Sequence, residues 1–166
     1  MSYHNRRSVR LKEHNYNGGI YFVTMCTADR ICLFGEIIEG IMYLNTLGEY
    51  ATQNLHNISV HTPYAECPLF VVMPNHIHAI FFIEDLLGVA GNAPTNTQIS
   101  PKRGTLSVVV RGFKSAITNF ANVQHIRFAW QRSYHEHVVR DSQELNRIIE
   151  YIENNPANWE TDEYRR

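Results

Sequence analysis

An apolar run in the middle of the chain predicts two adjacent β-strands. Residues 67–73 are mostly apolar, a Pro-Asn turn follows at residues 74–75, and the apolar run resumes over residues 76–83. Short apolar stretches bounded by turn residues are typical of strands that are covered on both faces. We therefore expect an antiparallel pair of strands joined by a tight turn.

The pattern of polar and apolar positions elsewhere predicts the remaining elements. Strands are predicted at residues 20–27, in a small peripheral hairpin of residues 33–36 and 41–44, and within residues 128–140. Helices are predicted after a cap at Asn45 or Thr46, at residues 106–122, and from Ser142 to a stop at Pro156. This order of elements resembles a ferredoxin-like α+β fold, which is an antiparallel sheet with helices on one face, here with an appended C-terminal helix.

Length and composition limit the class of protein. The chain has 166 residues, 44% of them hydrophobic, which fits one globular domain over residues 1–166. No apolar run approaches the roughly 20 residues that cross a bilayer, and the N-terminus lacks the apolar segment of a signal peptide. We therefore expect a cytoplasmic protein with no membrane partner. The three cysteines form no CxxC pair, so neither a disulfide framework nor a thiolate zinc site is indicated.

Two segments without periodicity carry part of the positive charge. Residues 1–19 are predicted to be a basic arm that ends in a Gly-Gly turn, and residues 84–104 a flexible surface loop. Through Arg140 the chain has 12 Lys and Arg against 9 Asp and Glu; the rest has 3 against 7, which gives the net charge of -1. Clustered cations indicate a phosphate-facing side, with an ordinary solvated surface as the alternative. The candidate contacts are Arg6, Arg7, Arg10, Lys102, Arg103, Arg111 and Lys114.

Two histidines interrupt the apolar run directly after the predicted turn. His76 and His78 are two residues apart, so a strand places both imidazoles on one face and Ile77 on the other. Neutral imidazole is the commonest protein ligand of divalent metals, and an otherwise apolar strand has no solvation reason to carry two of them. This spacing favours a metal site. The alternative is a pair of half-buried strand residues that hydrogen-bond to their neighbours.

The last predicted helix carries a second pair of polar residues. Tyr151 and Asn155 are four residues apart and share one face, whereas Ile148, Ile149 and Ile152 occupy other angles and can anchor the helix. If this helix packs beside the histidine strand, the Asn155 amide oxygen joins the two imidazoles in an open three-ligand site next to the tyrosine. Such a site suits Mg²⁺ or Mn²⁺ acting on a phosphodiester, with tyrosine as nucleophile. Otherwise Tyr151 is an ordinary exposed aromatic residue.

Four sequence blocks, in the same order along the chain, resemble one protein family. They are residues 73–78 (MPNHIH), 112–115 (GFKS), 130–140 (WQRSYHEHVVR) and 151–156 (YIENNP). These blocks resemble the REP-associated tyrosine transposases, a branch of the HUH single-tyrosine transposases, and the likeness extends over nearly the whole chain. The resemblance implies one IS200-like transposase (HUH endonuclease) domain that cleaves and rejoins single-stranded DNA at palindromic hairpin repeats.

The resemblance also implies a role for each candidate residue. His76 and His78 would be the metal pair and Asn155 the helix-borne ligand of Mg²⁺ or Mn²⁺. Tyr151 would be the nucleophile that forms a 5'-phosphotyrosine and frees a 3'-hydroxyl. The implied partner is single-stranded or hairpin DNA, the implied location is the prokaryotic nucleoid region of the cytoplasm, and a homodimer is an option.

Other assignments remain open at this point. Tyr134 is the rival nucleophile, in a group with Trp130, His135 and His137. This group either stacks on DNA or supports the site residues, or it consists of strand residues that fix the last helix. In place of an enzyme, the same sheet can serve a catalytically silent ferredoxin-like nucleic-acid-binding module. A third hypothesis, a metal hydrolase of small phosphoesters, uses a metal-activated water and leaves Tyr151 without a role.

Overall fold

The computed structural model describes residues 19–84 and 105–165. Its strands are β1 Gly19–Cys26, β2 Gly35–Ile38, β3 Ile41–Leu44, β4 Ala65–Val72, β5 His76–Ile83 and β6 His135–Val139. Its helices are α1 Thr46–His56, α2 Ile58–His61, α3 Leu106–Val123 and α4 Ser142–Asn154, with single 3-10 turns at Ala28–Arg30 and Trp159–Thr161.

The main sheet has four antiparallel strands in the order β4-β5-β1-β6, and β2 pairs with β3 as a separate hairpin. Strand β5 lies between two neighbours and is buried along its whole length. The predicted strand pair with its turn at residues 74–75 is thus confirmed, as is the peripheral hairpin. With helices packed on the sheet, this arrangement confirms the predicted ferredoxin-like α+β fold class.

Alternation along β5 divides the core into two layers. Ile77 and Phe81 lie in the larger hydrophobic cluster, together with side chains of α1 and α3. Ile80 and Phe82 face the other way and pack against Ile152 of α4. Among the described helices, α4 is therefore the appended helix that covers the second face of the sheet.

Side-chain caps explain where two of the helices begin. The Asn45 side chain accepts hydrogen bonds from the backbone N–H groups of Leu47 and Gly48, each at 3.0 Å. The Asp141 side chain accepts one from the N–H of Glu144 at 2.8 Å. These bonds satisfy donors that the first turn of a helix leaves free. The predicted cap at Asn45 is confirmed, and it starts α1.

Two local predictions differ from the structure. The first hairpin arm was expected at residues 33–36, but β2 starts at Gly35, and Phe34 before it is fully buried in the core. The N–H groups of Leu33 and Phe34 donate to the Pro74 carbonyl at 2.8 and 3.0 Å, which fixes this stretch against the turn before β5. Helix α2 was not predicted, because one helical turn is too short to show a period.

The predicted arm at residues 1–19 and the predicted loop at residues 84–104 lie outside the described residues, except for residues 19 and 84. The assignment of Arg6, Arg7, Arg10, Lys102 and Arg103 as phosphate contacts therefore stays a prediction. In the described part of the chain, no helix combines the length and the apolar character needed to span a membrane.

The packing of α4 generates a stability prediction. Ile152 is 1% exposed and lies against Ile80 and Phe82, so Ile152→Ala removes buried contacts and leaves a cavity. We expect the free energy of unfolding, measured by urea denaturation, to fall by about 2 to 5 kcal/mol. The control is Val60→Ala at a side chain that is 73% exposed, with an expected change within about 0.5 kcal/mol. Equal effects of the two substitutions would contradict this account of the packing.

Candidate functional site

The two histidines predicted as metal ligands lie side by side in β5. Their Nε2 atoms are 3.0 Å apart, and the residues are 0% and 1% exposed. His76 and His78 share a face with Ile80 and Phe82, because side chains alternate along a strand. The structure therefore places both imidazoles on the sheet face that α4 covers.

His76 is held in one tautomer by Asn75. Its Nδ1 atom lies 2.8 Å from Asn75 Oδ1, and the Asn75 amide nitrogen donates to the carbonyl oxygens of Arg30 and Tyr164 at 3.0 and 2.8 Å. Because the amide nitrogen is used as a donor elsewhere, the amide oxygen faces the ring and Nδ1 carries the proton. The Nε2 atom of His76 then presents its lone pair toward His78.

His78 has a comparable arrangement. Its Nδ1 atom lies 2.8 Å from the hydroxyl of Thr24, the residue opposite it on β1. Its Nε2 atom lies 3.0 Å from His76 Nε2 and 3.2 Å from the Tyr151 hydroxyl. Each ring thus has a fixed partner at Nδ1 and directs Nε2 to a common point. Outer partners of this kind orient histidines in metal sites.

Burial keeps both imidazoles neutral. Desolvation, followed by the neighbouring His78, lowers the pKa of His76 to about 2. Desolvation also lowers the pKa of His78 to about 3. Only the neutral ring binds a metal. Because both rings are already neutral, they can bind a cation without first releasing a proton.

Helix α4 brings Tyr151 to the pair. Tyr151 is 41% exposed, and its hydroxyl contacts His78 Nε2. Burial of the phenol, followed by the charge of Asp162, raises the pKa of Tyr151 to about 12. The phenol is therefore protonated at neutral pH, and it needs a nearby positive charge to become a phenolate.

Asn155 caps the C-terminus of α4 and points into the same region. It is 2% exposed, and its Oδ1 atom accepts no hydrogen bond from the described residues. Burial is the main cause of the pKa shifts of His76, Tyr151 and Asp162. The Asn155 amide contributes to each of these shifts, so the amide lies close to all three groups. A buried acceptor without a partner is unfavourable, and a bound cation would satisfy it.

Asp162 joins this group, although no sequence pattern indicated it. Its Oδ2 atom lies 4.0 Å from His76 Nε2, and its side chain is 3% exposed. The candidate ligand atoms of His76, His78 and Asp162 all lie within 4.8 Å of one another. Asp162 is one of seven acidic residues after Arg140, and nothing in its spacing distinguishes it from the other six.

The residues at this point fit a divalent cation. Neighbouring ligand atoms about 2.1 Å from one octahedral ion are about 3 Å apart, which matches the Nε2 separation of 3.0 Å. The donor set contains two imidazole nitrogens and the unpartnered amide oxygen, with a carboxylate beside them. Imidazole nitrogens and amide or carboxylate oxygens are all common protein ligands of divalent metal ions.

A cleft of about 520 Å³ opens onto the site. It is lined by His78, Tyr151, Phe22, His137 and Arg147, among others. The centroid of the Phe22 ring lies 5.3 Å from that of His78, in a stacked arrangement, and 6.0 Å from that of Tyr151, in an edge-on arrangement. Phe22 on β1 therefore packs against both rings and restricts their orientation. The hydroxyl of Tyr151 therefore stands between the buried imidazoles and a solvent-accessible cleft.

The rival group around Tyr134 lies elsewhere. Trp130 and Tyr134 pack against the core layer of α1 and α3, and the Trp130 ring nitrogen donates to the Lys114 carbonyl at 3.0 Å. Strand β6 begins only at His135, and Trp130 forms an isolated β-bridge with Thr27, so the alternative that makes Trp130 and Tyr134 strand residues fixing the last helix does not hold for these two residues. Of this group, His137 does bond to α4, through Glu144 at 2.6 Å. The structure brings Tyr151, and not Tyr134, to the histidine pair.

The two described cations of the predicted phosphate-binding set lie on α3. Arg111 is exposed, and both Arg111 and Lys114 line a groove of about 450 Å³ together with Arg132 and Tyr134. The Lys114 ammonium donates to the Gln131 carbonyl at 2.8 Å, and burial lowers its pKa. The groove follows the helix on the sheet face opposite α4, so it is separate from the histidine cleft.

The fold is shared with a solved structure of a REP-associated tyrosine transposase bound to a REP hairpin. The TM-score is 0.58 and the sequence identity is 18%, over 92% of this chain and 74% of that chain. At this level of identity the likeness establishes a common fold. No protein-family model matches the sequence.

A sequence relative is known from Haemophilus influenzae strain Rd, where it is described as an uncharacterized protein. It is 41% identical over 167 residues, which cover 96% of this chain and 93% of the relative. Identity at this level over nearly all of both proteins establishes common descent. The chain belongs to the same family as this Haemophilus influenzae protein.

Proposed function

We propose that the protein is a metal-dependent single-stranded DNA transposase of the REP-associated tyrosine (HUH) type. It would cleave and rejoin DNA at palindromic hairpin repeats through a 5'-phosphotyrosine. The observation that carries the proposal is the Tyr151 hydroxyl at 3.2 Å from His78 Nε2, beside a second buried imidazole. The fold shared with a transposase bound to a REP hairpin supports it, as do the four sequence blocks.

The covalent step exchanges one phosphodiester bond for another. The Tyr151 oxygen attacks the scissile phosphorus, and the bond from phosphorus to the 3' oxygen breaks. The phenol loses its proton to solvent in the cleft, and the departing 3' oxygen takes one up. When a 3'-hydroxyl later attacks the phosphotyrosine, the strand is rejoined and Tyr151 is released. No nucleotide hydrolysis is required, because the phosphotyrosine keeps the ester bond energy.

His76, His78 and Asn155 would hold Mg²⁺ or Mn²⁺ at this site. When bound, the cation would favour the phenolate of Tyr151 and offset charge that develops on the phosphate oxygens. The protein's own contribution is the fixed orientation of the two rings, through Asn75 and Thr24.

The position of α4 sets the distance between nucleophile and ligands. Tyr151 and Asn155 are one helical turn apart, and Ile152 between them is anchored in the core beneath the sheet. Because the helix is rigid over this span, the phenol and the amide move together. A displacement of about 1 Å at a reacting group can reduce the rate on the order of 10²-fold.

The proposed partner is single-stranded or hairpin DNA, and a homodimer remains a prediction. The groove on α3 offers the side chains of Arg111 and Arg132 and the half-buried ring of Tyr134. Cations beside an aromatic ring are the combination that follows a nucleic-acid backbone and stacks on unpaired bases.

The nucleophile assignment is tested by Tyr151→Phe, which removes one oxygen. We expect the variant to retain DNA and metal binding but to lose cleavage and the covalent adduct, measured with labelled hairpin DNA on a denaturing gel. Tyr134→Phe is the matched control and should keep the adduct. An adduct that survives in Tyr151→Phe and disappears in Tyr134→Phe would move the nucleophile to Tyr134.

The metal assignment is tested by the double substitution His76→Ala and His78→Ala. We expect Mn²⁺ binding, measured by calorimetry, and Mn²⁺-dependent cleavage to be lost together, because both nitrogen donors are removed. The circular dichroism spectrum should remain that of a folded protein. Unchanged cleavage by a folded double variant would refute the metal role.

The partner assignment is tested by salt dependence. Affinity for a single-stranded hairpin should exceed that for blunt duplex and should fall as salt rises, because phosphate contacts release counterions. Arg111→Ala should reduce the slope of log affinity against log salt by roughly 0.7, the value for one phosphate contact on a single strand. Arg127 is exposed and lies outside the groove lining, so Arg127→Ala should leave the slope unchanged. Equal slopes for the two variants would remove Arg111 from the interface.

A further inference from the structure

We propose that Asp162 is an additional ligand of the metal site, so that metal binding is coupled to docking of the C-terminal segment of residues 159–165. This inference rests on the proposed metal site at His76 and His78. Neither the position of Asp162 in the sequence nor the likeness to other proteins indicated this residue as a metal ligand.

Geometry places the carboxylate at the site. The Asp162 Oδ2 atom is 4.0 Å from His76 Nε2, and its candidate ligand atom lies within 4.8 Å of those of both histidines. The other carboxylate oxygen, Oδ1, accepts a hydrogen bond from the Tyr164 N–H at 2.6 Å. This bond fixes the side chain and leaves Oδ2 directed at the imidazoles.

The charge of Asp162 has no direct cationic partner among the described residues. The side chain is 3% exposed, and within the described ranges it forms no ion pair with a lysine or arginine. The nearby Arg30 instead donates to the Glu163 carbonyl at 2.7 Å and lies over the Tyr164 ring. A buried carboxylate without a paired cation is unfavourable, and a divalent ion between it and the imidazoles would compensate its charge.

The number of donors agrees with this assignment. Two imidazole nitrogens, the Asn155 amide oxygen and the Asp162 carboxylate oxygen make four protein ligands. Mg²⁺ and Mn²⁺ favour six positions and oxygen donors, so two positions stay free for oxygens of a phosphodiester. A carboxylate ligand would also favour these hard cations over softer ones.

The C-terminal segment is docked directly on the histidines. The Trp159 ring lies 6.2 Å from that of His76 and is 7% exposed as a residue, and the Tyr164 ring lies 4.8 Å from His76. The Tyr164 carbonyl accepts from the Asn75 amide at 2.8 Å. A metal bond to Asp162 would add a link between this segment and β5, so metal should strengthen the docking.

The experiment measures Mn²⁺ binding in the absence of DNA. Calorimetric titration of the full chain should give an affinity on the order of 10-fold or more weaker for Asp162→Asn than for the native protein. Hydrogen exchange of residues 159–165 should slow when Mn²⁺ is added to the native protein and should not slow in Asp162→Asn. Glu160→Gln is the matched control: this carboxylate is in the same segment but 77% exposed, and the variant should behave as the native protein.

Three outcomes would overturn the proposal. If Asp162→Asn binds Mn²⁺ as the native protein does, while the double histidine variant does not, Asp162 is no ligand and the proposed transposase site is unaffected. If Asp162→Asn melts at a lower temperature than the native protein without metal, while Mn²⁺ still slows hydrogen exchange of residues 159–165 as much as in the native protein, the residue has a structural role only. If the native protein binds no Mn²⁺, this inference and the metal role of the histidines fail together, whereas a Tyr151 adduct would still test the nucleophile separately.

Discussion

Burial of two neutral imidazoles in β5, one of the two central strands of the sheet, is the constraint on which the site depends. A ring nitrogen removed from water needs a partner, and each histidine obtains one from another part of the chain. Asn75 in the preceding turn holds His76, and Thr24 on the neighbouring strand holds His78. The remaining nitrogens face each other and the Tyr151 hydroxyl. The site is therefore complete only when β1, β5 and α4 are all in place.

Strand register connects this site to the core. His78 lies opposite Thr24 and His76 opposite Cys26, and Ile77 between them on β5 points into the core under α1 and α3. A shift of one residue would bury the imidazoles in that apolar layer and turn Ile77 to the cleft. Burial of the apolar side chains stabilises this register, and it therefore also keeps the two rings on the face covered by α4. Fold and site are specified by the same alternation.

Local periodicity explains why part of this was predictable. The alternation of His76 and His78 and the four-residue spacing of Tyr151 and Asn155 follow from strand and helix geometry, so their shared faces could be predicted. Which face of the sheet α4 covers depends on long-range packing. The sequence analysis could therefore only assume that α4 packs beside the histidine strand. Asp162 follows a 3-10 turn without any period, and Asn75 was interpreted only as a turn residue. Both act through contacts between segments distant in sequence, which no local pattern encodes.

The two covered faces of the sheet bear on the choice between an enzyme and a silent binding module. A module that stacks bases on its sheet needs aromatic side chains accessible on the central strands. Here β5 is buried along its full length, and the Phe22 ring of β1 lies against His78 and Tyr151. The exposed ring at this place is instead Tyr151, on a helix, with its hydroxyl turned to the imidazoles. A stacking role would use the face of that ring and would not require the hydroxyl contact, two buried histidines or an amide oxygen that the described residues leave without a partner. The proposed nucleophile beside a cation site would use all of these features.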